Sequence, residues 1–288
     1  MTSADPVASF FGPDTVTWRV HAHPVMMIGG VRALMVQALH PHAMAGVAEH
    51  SDYRSDPQHR LRRTGDYVTT VTYGTEEQAR AAGQLVQRVH TFINGIDPVT
   101  GDRYSAEDPA TLLWVHCAEV HSFLIAYRTY GGRLSETDQD RYLAEQVRTA
   151  ELVGIPPSSV PASRAEMREY FASVEPQLCV SHATRATFEF LLRPPAPWWQ
   201  EPLRPAWRLV SGAALGLIPR RLRRLYGAEW PRPLDAATST TVRAAVVALN
   251  GALALWPTDR RIALVQRRLA DNPFAAQTPR VIADRASA

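Results

Sequence analysis

The sequence predicts an all-α fold, and three observations carry that expectation. Apolar residues recur at three- and four-residue spacing along most of the 288 positions. Residues that start and stop helices stand at the ends of these stretches. β-Branched alternation is confined to residues 68–73, and that run directly follows residues of helical character, so it is read as helix rather than strand.

In chain order, residues 78–93 place Ala79, Ala82, Leu85, Val86, Val89 and Ile93 on one helical face, behind a Thr75 cap and the acids Glu76 and Glu77. A second helix starts at Asp108-Pro109, a capping residue followed by a first-turn proline. It runs through Leu112, Leu113, Val115, Val120 and Leu124 towards Tyr127, where Gly131-Gly132 stops it. Residues 135–153 form a third, with Glu136 in its first turn and Gly154 and Pro156 just past its end. A fourth begins over 164–170, and further helices cover 179–192, 207–217 and 242–255. Pro194, Pro195, Pro197, Pro202 and Pro205 predict an extended loop with Trp198-Trp199 at its middle. The helical residues after it are too few for a core of their own, so the loop is read as a connection within one domain. The polar tail beyond Pro273 is read as frayed.

Composition removes whole classes of chemistry. All 31 basic residues are arginine, which excludes a Schiff-base lysine and a P-loop lysine on phosphate. A net charge of +3 gives no support to a nucleic-acid partner. Cys117 and Cys179 have neither paired spacing nor a CxxC and read as buried thiols in a reducing compartment. The first residues lack the basic and apolar regions of a signal peptide. The apolar runs at 25–39 and 206–218 are each interrupted by an arginine, Arg32 or Arg208, and are too short to span a bilayer. A cytoplasmic protein is expected.

Ten histidines invite a metal or cofactor reading. His21 with His23, and His40 with His42, are i, i+2 pairs that share a metal only on a strand or irregular loop, so exposed or capping roles are expected. His116, Glu119 and His121 are neighbours on one helix but miss the HExxH spacing. No Glu-x-x-His pair of a di-iron bundle occurs. His90 stands four after Val86 and three before Ile93, and His116 three after Leu113 and four before Val120, so both project from apolar helix faces. Two roles fit them. Either each hydrogen-bonds a backbone carbonyl inside the core, the role geometry alone favours, or they line a haem pocket in which a neutral imidazole meets iron between aliphatic walls.

Arginines form a second constellation. Arg60, Arg63 and Thr64 are three and four residues apart, so all three can face one site. A forked, permanent cation suits a haem propionate or polarises an oxygen species, and the alternative is a solvated helix face. Arg220, Arg221, Arg223 and Arg224 follow an apolar segment, as a stripe for a membrane surface or phosphate does, or as a solvated helix does.

Several short motifs occur together and in order. They are Gln37-Ala38-Leu39-His40-Pro41, Ala45-Gly46-Val47 with His50-Ser51, Arg60-Leu61-Arg62-Arg63-Thr64, Val89-His90 with Gly95, and Tyr104 with Asp108-Pro109 and Trp114-Val115-His116. In this order they resemble the DUF2236 family, which includes the oxygenase of mycophenolic acid biosynthesis and the catalytic domain of latex clearing protein, the rubber oxygenase. Leu152, Gly154 and Pro156, and then 219–227, extend the resemblance over residues 15–270. It implies a single globin-like helical domain with additional helices at 15–270, an N-terminal segment at 1–14 and a flexible tail at 271–288. It also implies haem b and cleavage of carbon–carbon double bonds with dioxygen. The family's axial histidine sits in an RLVH-type segment, which looks like Arg88-Val89-His90, so the resemblance makes His90 the iron ligand. Its R-x-x-K-T arrangement looks like Arg60, Arg63 and Thr64, with arginine where the family has lysine. The family's proposed catalytic base precedes this segment, and Glu49 and His50 stand nearby in this chain.

The expected function is thus a haem b-dependent oxygenase acting with dioxygen on a hydrophobic, unsaturated, isoprenoid-like molecule. In it His90 ligates iron, Arg60 and Arg63 orient propionate or oxygen, and Thr64, His40 and His116 shape the distal side. The second reading is a haem- or lipid-carrying protein without turnover, peripheral at a membrane through residues 206–224. A purely structural helical protein comes third.

Overall fold

The computed structural model describes residues 9–51, 55–195, 198–229 and 231–254. Residues 1–8 of the expected N-terminal segment, the expected tail and the side chains of Trp198 and Trp199 lie outside the described residues. Among the described residues the chain is all-α, with twelve α-helices and one two-stranded antiparallel hairpin.

The first three helices are α1 (Val16–His21), α2 (Met26–Gln37) and α3 (Pro41–His50). The carboxylate of Glu145 accepts from the Val16 and Thr17 amides, so a distant acid satisfies the orphan donors of α1. α2 packs along α6 (Pro109–Ala126) on one side and α10 (Arg204–Gly216) on another. The α2–α6 approach is set by Gly29, where a Cβ would come within 2.9 Å of the Phe123 ring. α6 is apolar all round and buries Trp114, Cys117, Ala118, Val120, Phe123 and Leu124. Asp108 caps it through its bond from the Thr111 amide, with Pro109 in the first turn. It ends in a π-helical turn at Tyr127–Gly131.

α4 (Pro57–Tyr73) and α5 (Glu76–His90) form an antiparallel helical hairpin. Residues 68–73 belong to α4, as expected. Thr75 and Gln78 build a reciprocal capping box at the start of α5. α5 lies on α7 (Glu136–Leu152) through Gly83, whose missing Cβ makes room for the Leu152 carbonyl, and Gln87 donates to the same oxygen at 2.8 Å. α8 (Arg164–Val174) and α9 (His182–Leu192) follow, and α9 starts three residues later than its apolar pattern predicts because Cys179 N–H pairs with Leu39 O instead. The expected extended loop after α9 contains a 3₁₀ turn at Trp198–Leu203. α10 begins at Arg204 with Pro205 in its first turn. α11 (Arg220–Leu225) and α12 (Arg232–Ala254) complete the described chain. One buried cluster runs from Val16 to Val242.

The hairpin was not legible in the sequence. β1 (Asn94–Ile96) and β2 (Arg103–Ser105) pair Gly95 with Tyr104, and Gly101 turns between them at φ +79°. Three-residue strands are too short for an alternating pattern. Cys117 is buried as expected, whereas Cys179 is only half-buried. No helix among the described residues is long and apolar enough to cross a membrane.

The four arginines of α11 are all paired with acids. Arg220 and Arg223 meet Asp235, Arg221 meets Glu175, and Arg224 lies 3.8 Å from Glu229. Arg223 is 4% exposed and binds both oxygens of Asp235 at 2.7 and 2.9 Å. It therefore does not belong to a surface stripe, and its charge is spent inside the fold.

Candidate functional site

One face of α4 links the residues of interest. Arg60, Arg63 and Tyr67 stand at i, i+3 and i+7, so they share a face over two turns, about 10 Å of helix. At the outer end Arg60 is exposed, and its charge acts on His90, the last residue of α5. At the inner end Tyr67 lies close enough to Glu119 of α6 for that carboxyl to help raise the phenol's pKa, the larger cause being burial. The face thus grades from solvent to interior.

His90 is half-buried rather than a core residue. The buried residues of α5 are Ala79, Ala82 and Gly83 in its first half, while Val89 beside His90 is exposed. Periodicity identifies the apolar face but not how far the core extends along it. Burial first, and Arg60 second, pull the His90 imidazole below its usual pKa, against an opposing pull from Glu107. The ring is neutral at pH 7, the form that ligates a metal. Arg63 is half-buried. Thr64 is exposed, and its hydroxyl donates to the Arg60 carbonyl at 3.1 Å, so its proton is already engaged.

His116 lies deeper, and burial pulls it down to about 4. Its Nε2 is sealed from solvent and has no hydrogen-bond partner among the described residues. The carbonyl bond of a core histidine is therefore missing at that atom, an omission that costs about 1–3 kcal/mol. His40 departs from expectation as well. It is 7% exposed, occupies the N-cap position of α3 without a side-chain capping bond, and leaves Nδ1 unpaired. Its neighbours are Trp114, His42 and Gln177, so no described contact brings it to His90 or the arginine turn. His21 is likewise neither exposed nor capping. Its two nitrogens meet Thr72 Oγ1 at 2.8 Å and Tyr142 Oη at 3.0 Å.

Sequence reasoning passed over Glu119, weighing it only as part of a zinc motif. It is the sole carboxylate of the 18-residue α6, a signal that was present in the sequence. Burial pushes its carboxyl up to about 7, and its charge reaches both Tyr67 of α4 and Tyr142 of α7. Glu119 of α6 and Tyr67 of α4 are both half-buried. Glu49 and His50, by contrast, are tied to the hairpin. Tyr104 Oη donates to Glu49 at 2.5 Å and lies 3.2 Å from His50 Nε2. An open groove of about 490 Å³ adjoins this hairpin, lined by His42, Asn94, Gly95, Ile96, Arg103 and Tyr104 among others, and includes none of His90, Arg60 or His116.

The residues present fit a haem. Among the described residues no three ligating side chains converge to hold a bare ion, whereas iron in a macrocycle needs only one imidazole from the chain. His90 offers a neutral imidazole with an arginine beside it for a propionate. Val86, Val89 and Leu61 provide apolar surface nearby on the same two helices. His116 adds an unsatisfied nitrogen to the interior.

Comparison with known proteins agrees with this architecture. No curated protein matches the chain. Among solved structures, that of latex clearing protein LCP in the closed state superposes with a TM-score of 0.53, covering 88% of this chain and 71% of that one. At 15% identity the likeness is one of fold. The family profile described as "ER-bound oxygenase mpaB/B'/Rubber oxygenase, catalytic domain" matches residues 18–250. A match over that much of its length means that the chain belongs to this family and is an oxygenase.

Proposed function

We propose that this oxygenase holds haem b on His90 and uses dioxygen to oxidise or cleave a hydrophobic, unsaturated, isoprenoid-like molecule. The observation that carries the reading is the neutral, half-buried His90 beside Arg60 at the outer end of the α4 face. The substrate class rests on the family description, which names rubber oxygenase, and on the name of the solved relative, latex clearing protein. Apolar side chains around His90 suit it: Val89, Phe92 and Ile96 are exposed, Phe92 at 78%. A hydrocarbon gains by covering such surface.

When bound, the haem supplies iron for binding and activating dioxygen. The chain's own residues do the rest. His90 would hold the iron through Nε2 or Nδ1, and Arg60 would pair with a propionate. Arg63, half-buried on the same face, would orient a propionate or oxygen through its guanidinium N–H groups. Thr64 keeps oxygen lone pairs for a hydrogen bond to a ligand. His116 presents an interior nitrogen to substrate or oxygen, and the apolar core excludes water.

Haem-loaded, reduced protein mixed with oxygen and polyisoprene or short isoprenoids should take up oxygen and release carbonyl products. Full haem loading with no oxygen uptake or product over a broad panel of unsaturated lipids would sink the substrate assignment.

A further inference from the structure

The groove of about 490 Å³ beside the hairpin takes no part in the site at His90. Its wall follows from the register of the two strands. Asn94 pairs with Ser105 and Ile96 with Arg103, so these four side chains share one face, while Gly95 and Tyr104 take the other. The Tyr104 face is fastened to α3. Its ring is 5% exposed, its hydroxyl donates to Glu49 at 2.5 Å, and a Cβ on Gly95 would come within 2.8 Å of that hydroxyl. The turn is fastened as well, since the buried Asp97 carboxylate accepts from the Val99 and Thr100 amides and from the Thr100 hydroxyl. The face opposite Tyr104 lines the groove, together with His42 of α3 and Asp108 at the N-cap of α6. A wall pinned from two sides is set before a ligand arrives, which lowers the cost of binding one.

Hydrogen-bond donors dominate this lining. Arg103 is exposed and makes no ion pair or side-chain hydrogen bond among the described residues, so its guanidinium fork is open. The Ser105 hydroxyl oxygen accepts from the Glu107 amide, which leaves its O–H to donate into the groove. The one acid of the lining, Asp108, is engaged by the Thr111 amide and hydroxyl. Asp102 and Glu107 are exposed nearby and do not pair with Arg103. Ile96, 62% exposed, sets an apolar side chain across the strand pair from Arg103. Asn94 is four residues from His90, at most about 14 Å of chain, and the exposed Phe92 lies between them.

We infer that the hairpin groove binds the carboxylate end of the oxygenase's unsaturated substrate. Arg103 grips both carboxylate oxygens and Ser105 donates a further bond, while the hydrocarbon tail covers Ile96 and Phe92 on its way to His90. One guanidinium beside one engaged acid balances a single negative charge, which fits a carboxylate better than a phosphate dianion. Arg103 is then a specificity-determining residue: it selects a charged head on a molecule otherwise held by apolar surface.

The inference rests on the oxygenase reading, and the experiment keeps the two apart. Equilibrium dialysis of the purified protein measures binding of farnesoic acid, its methyl ester and farnesyl phosphate to wild type, Arg103→Gln and Arg103→Lys, and oxygen uptake is followed with the acid and the ester. Wild type should prefer the acid over the ester by about three- to tenfold, the worth of a charge-assisted pair open to solvent. Added salt should shrink that preference. Arg103→Gln, at an exposed position that spares the fold, should bind acid and ester alike, and Arg103→Lys should recover part of the difference. Equal affinity of wild type for acid and ester, or a preference that survives in Arg103→Gln, overturns the carboxylate site. Tighter binding of farnesyl phosphate than of farnesoic acid overturns the choice of head group. Absence of oxygen uptake with either ligand, alongside a preference that depends on Arg103, would sink the oxygenase reading and leave the carboxylate site standing.

Discussion

Arg60, in the first turn of α4, acts across the helical hairpin on the imidazole of His90, the last residue of α5, and reinforces the effect of burial in keeping it neutral. In the proposed haem site this one arginine would serve two ends, keeping His90 in its neutral form and setting a cation where a propionate can meet it. Arg60→Ala should therefore lower haem affinity by about tenfold or more, the worth of one charge-assisted hydrogen bond. Arg60→Lys should recover part of this. The measurement is haem titration followed by absorbance, and unchanged affinity in Arg60→Ala would remove Arg60 from the site.

His116 should show opposite effects on stability and activity. Its Nε2 is buried without a partner, so His116→Leu removes an unsatisfied polar atom from α6 and should leave the fold as stable or stabilise it by about 1 kcal/mol. The same change should lower turnover. Denaturant unfolding and oxygen uptake, measured on one preparation, report both. A loss of several kcal/mol would mean that His116 is an ordinary structural histidine.

Stability should peak near pH 6.5. His21, His116 and His121 all have folded pKa values depressed by burial, so the unfolded chain takes up protons first as pH falls. Stability is therefore lost below about 6.5, at about 1.4 kcal/mol per pH unit for each histidine that stays neutral. Glu119 works the other way. Its folded pKa, about 7, is raised, so the folded state binds the extra proton between the ordinary carboxylate range and about 7, and stability falls as pH rises through that window. Three histidines outweigh one carboxyl on the acid side. Thermal unfolding across pH 4–9 checks this, and Glu119→Gln should steepen the rise from the carboxylate range to pH 6.5 and flatten the descent towards pH 7.

Asp235 is expected to matter far more to stability than its partly exposed position suggests. It is the bidentate partner of buried Arg223, and Asp235→Ala strands that charge, which costs about 3–5 kcal/mol. Arg224→Ala, whose pair with Glu229 is exposed, should cost under about 1 kcal/mol. Equal effects in urea unfolding would contradict the burial assigned to Arg223.

Much of the helical fold was legible because its signals are local. The Thr75 capping box, Asp108-Pro109, Gly131-Gly132 and Gly154 bound helices in the structure close to where the sequence sets them. α2 was silent because α6 and α10 cover different sides of it, leaving no polar stripe to mark a period. The site was legible only in part. Spacing alone puts Arg60 and Arg63 on one face, but the approach of Arg60 to His90 depends on how α4 and α5 fold together. The burial of His40 and the enclosure of Glu119 by Tyr67 and Tyr142 arise from helices distant in sequence, so no local pattern could announce them.

The account turns on His90 as the iron ligand, and the most direct measurement is the haem content and Soret spectrum of wild type and His90→Ala purified side by side. Wild type should bind one haem b per chain and show a histidine-ligated Soret band. His90→Ala, folded as judged by circular dichroism, should lose most of its haem. Full haem loading with an unshifted Soret band in His90→Ala would contradict the assignment.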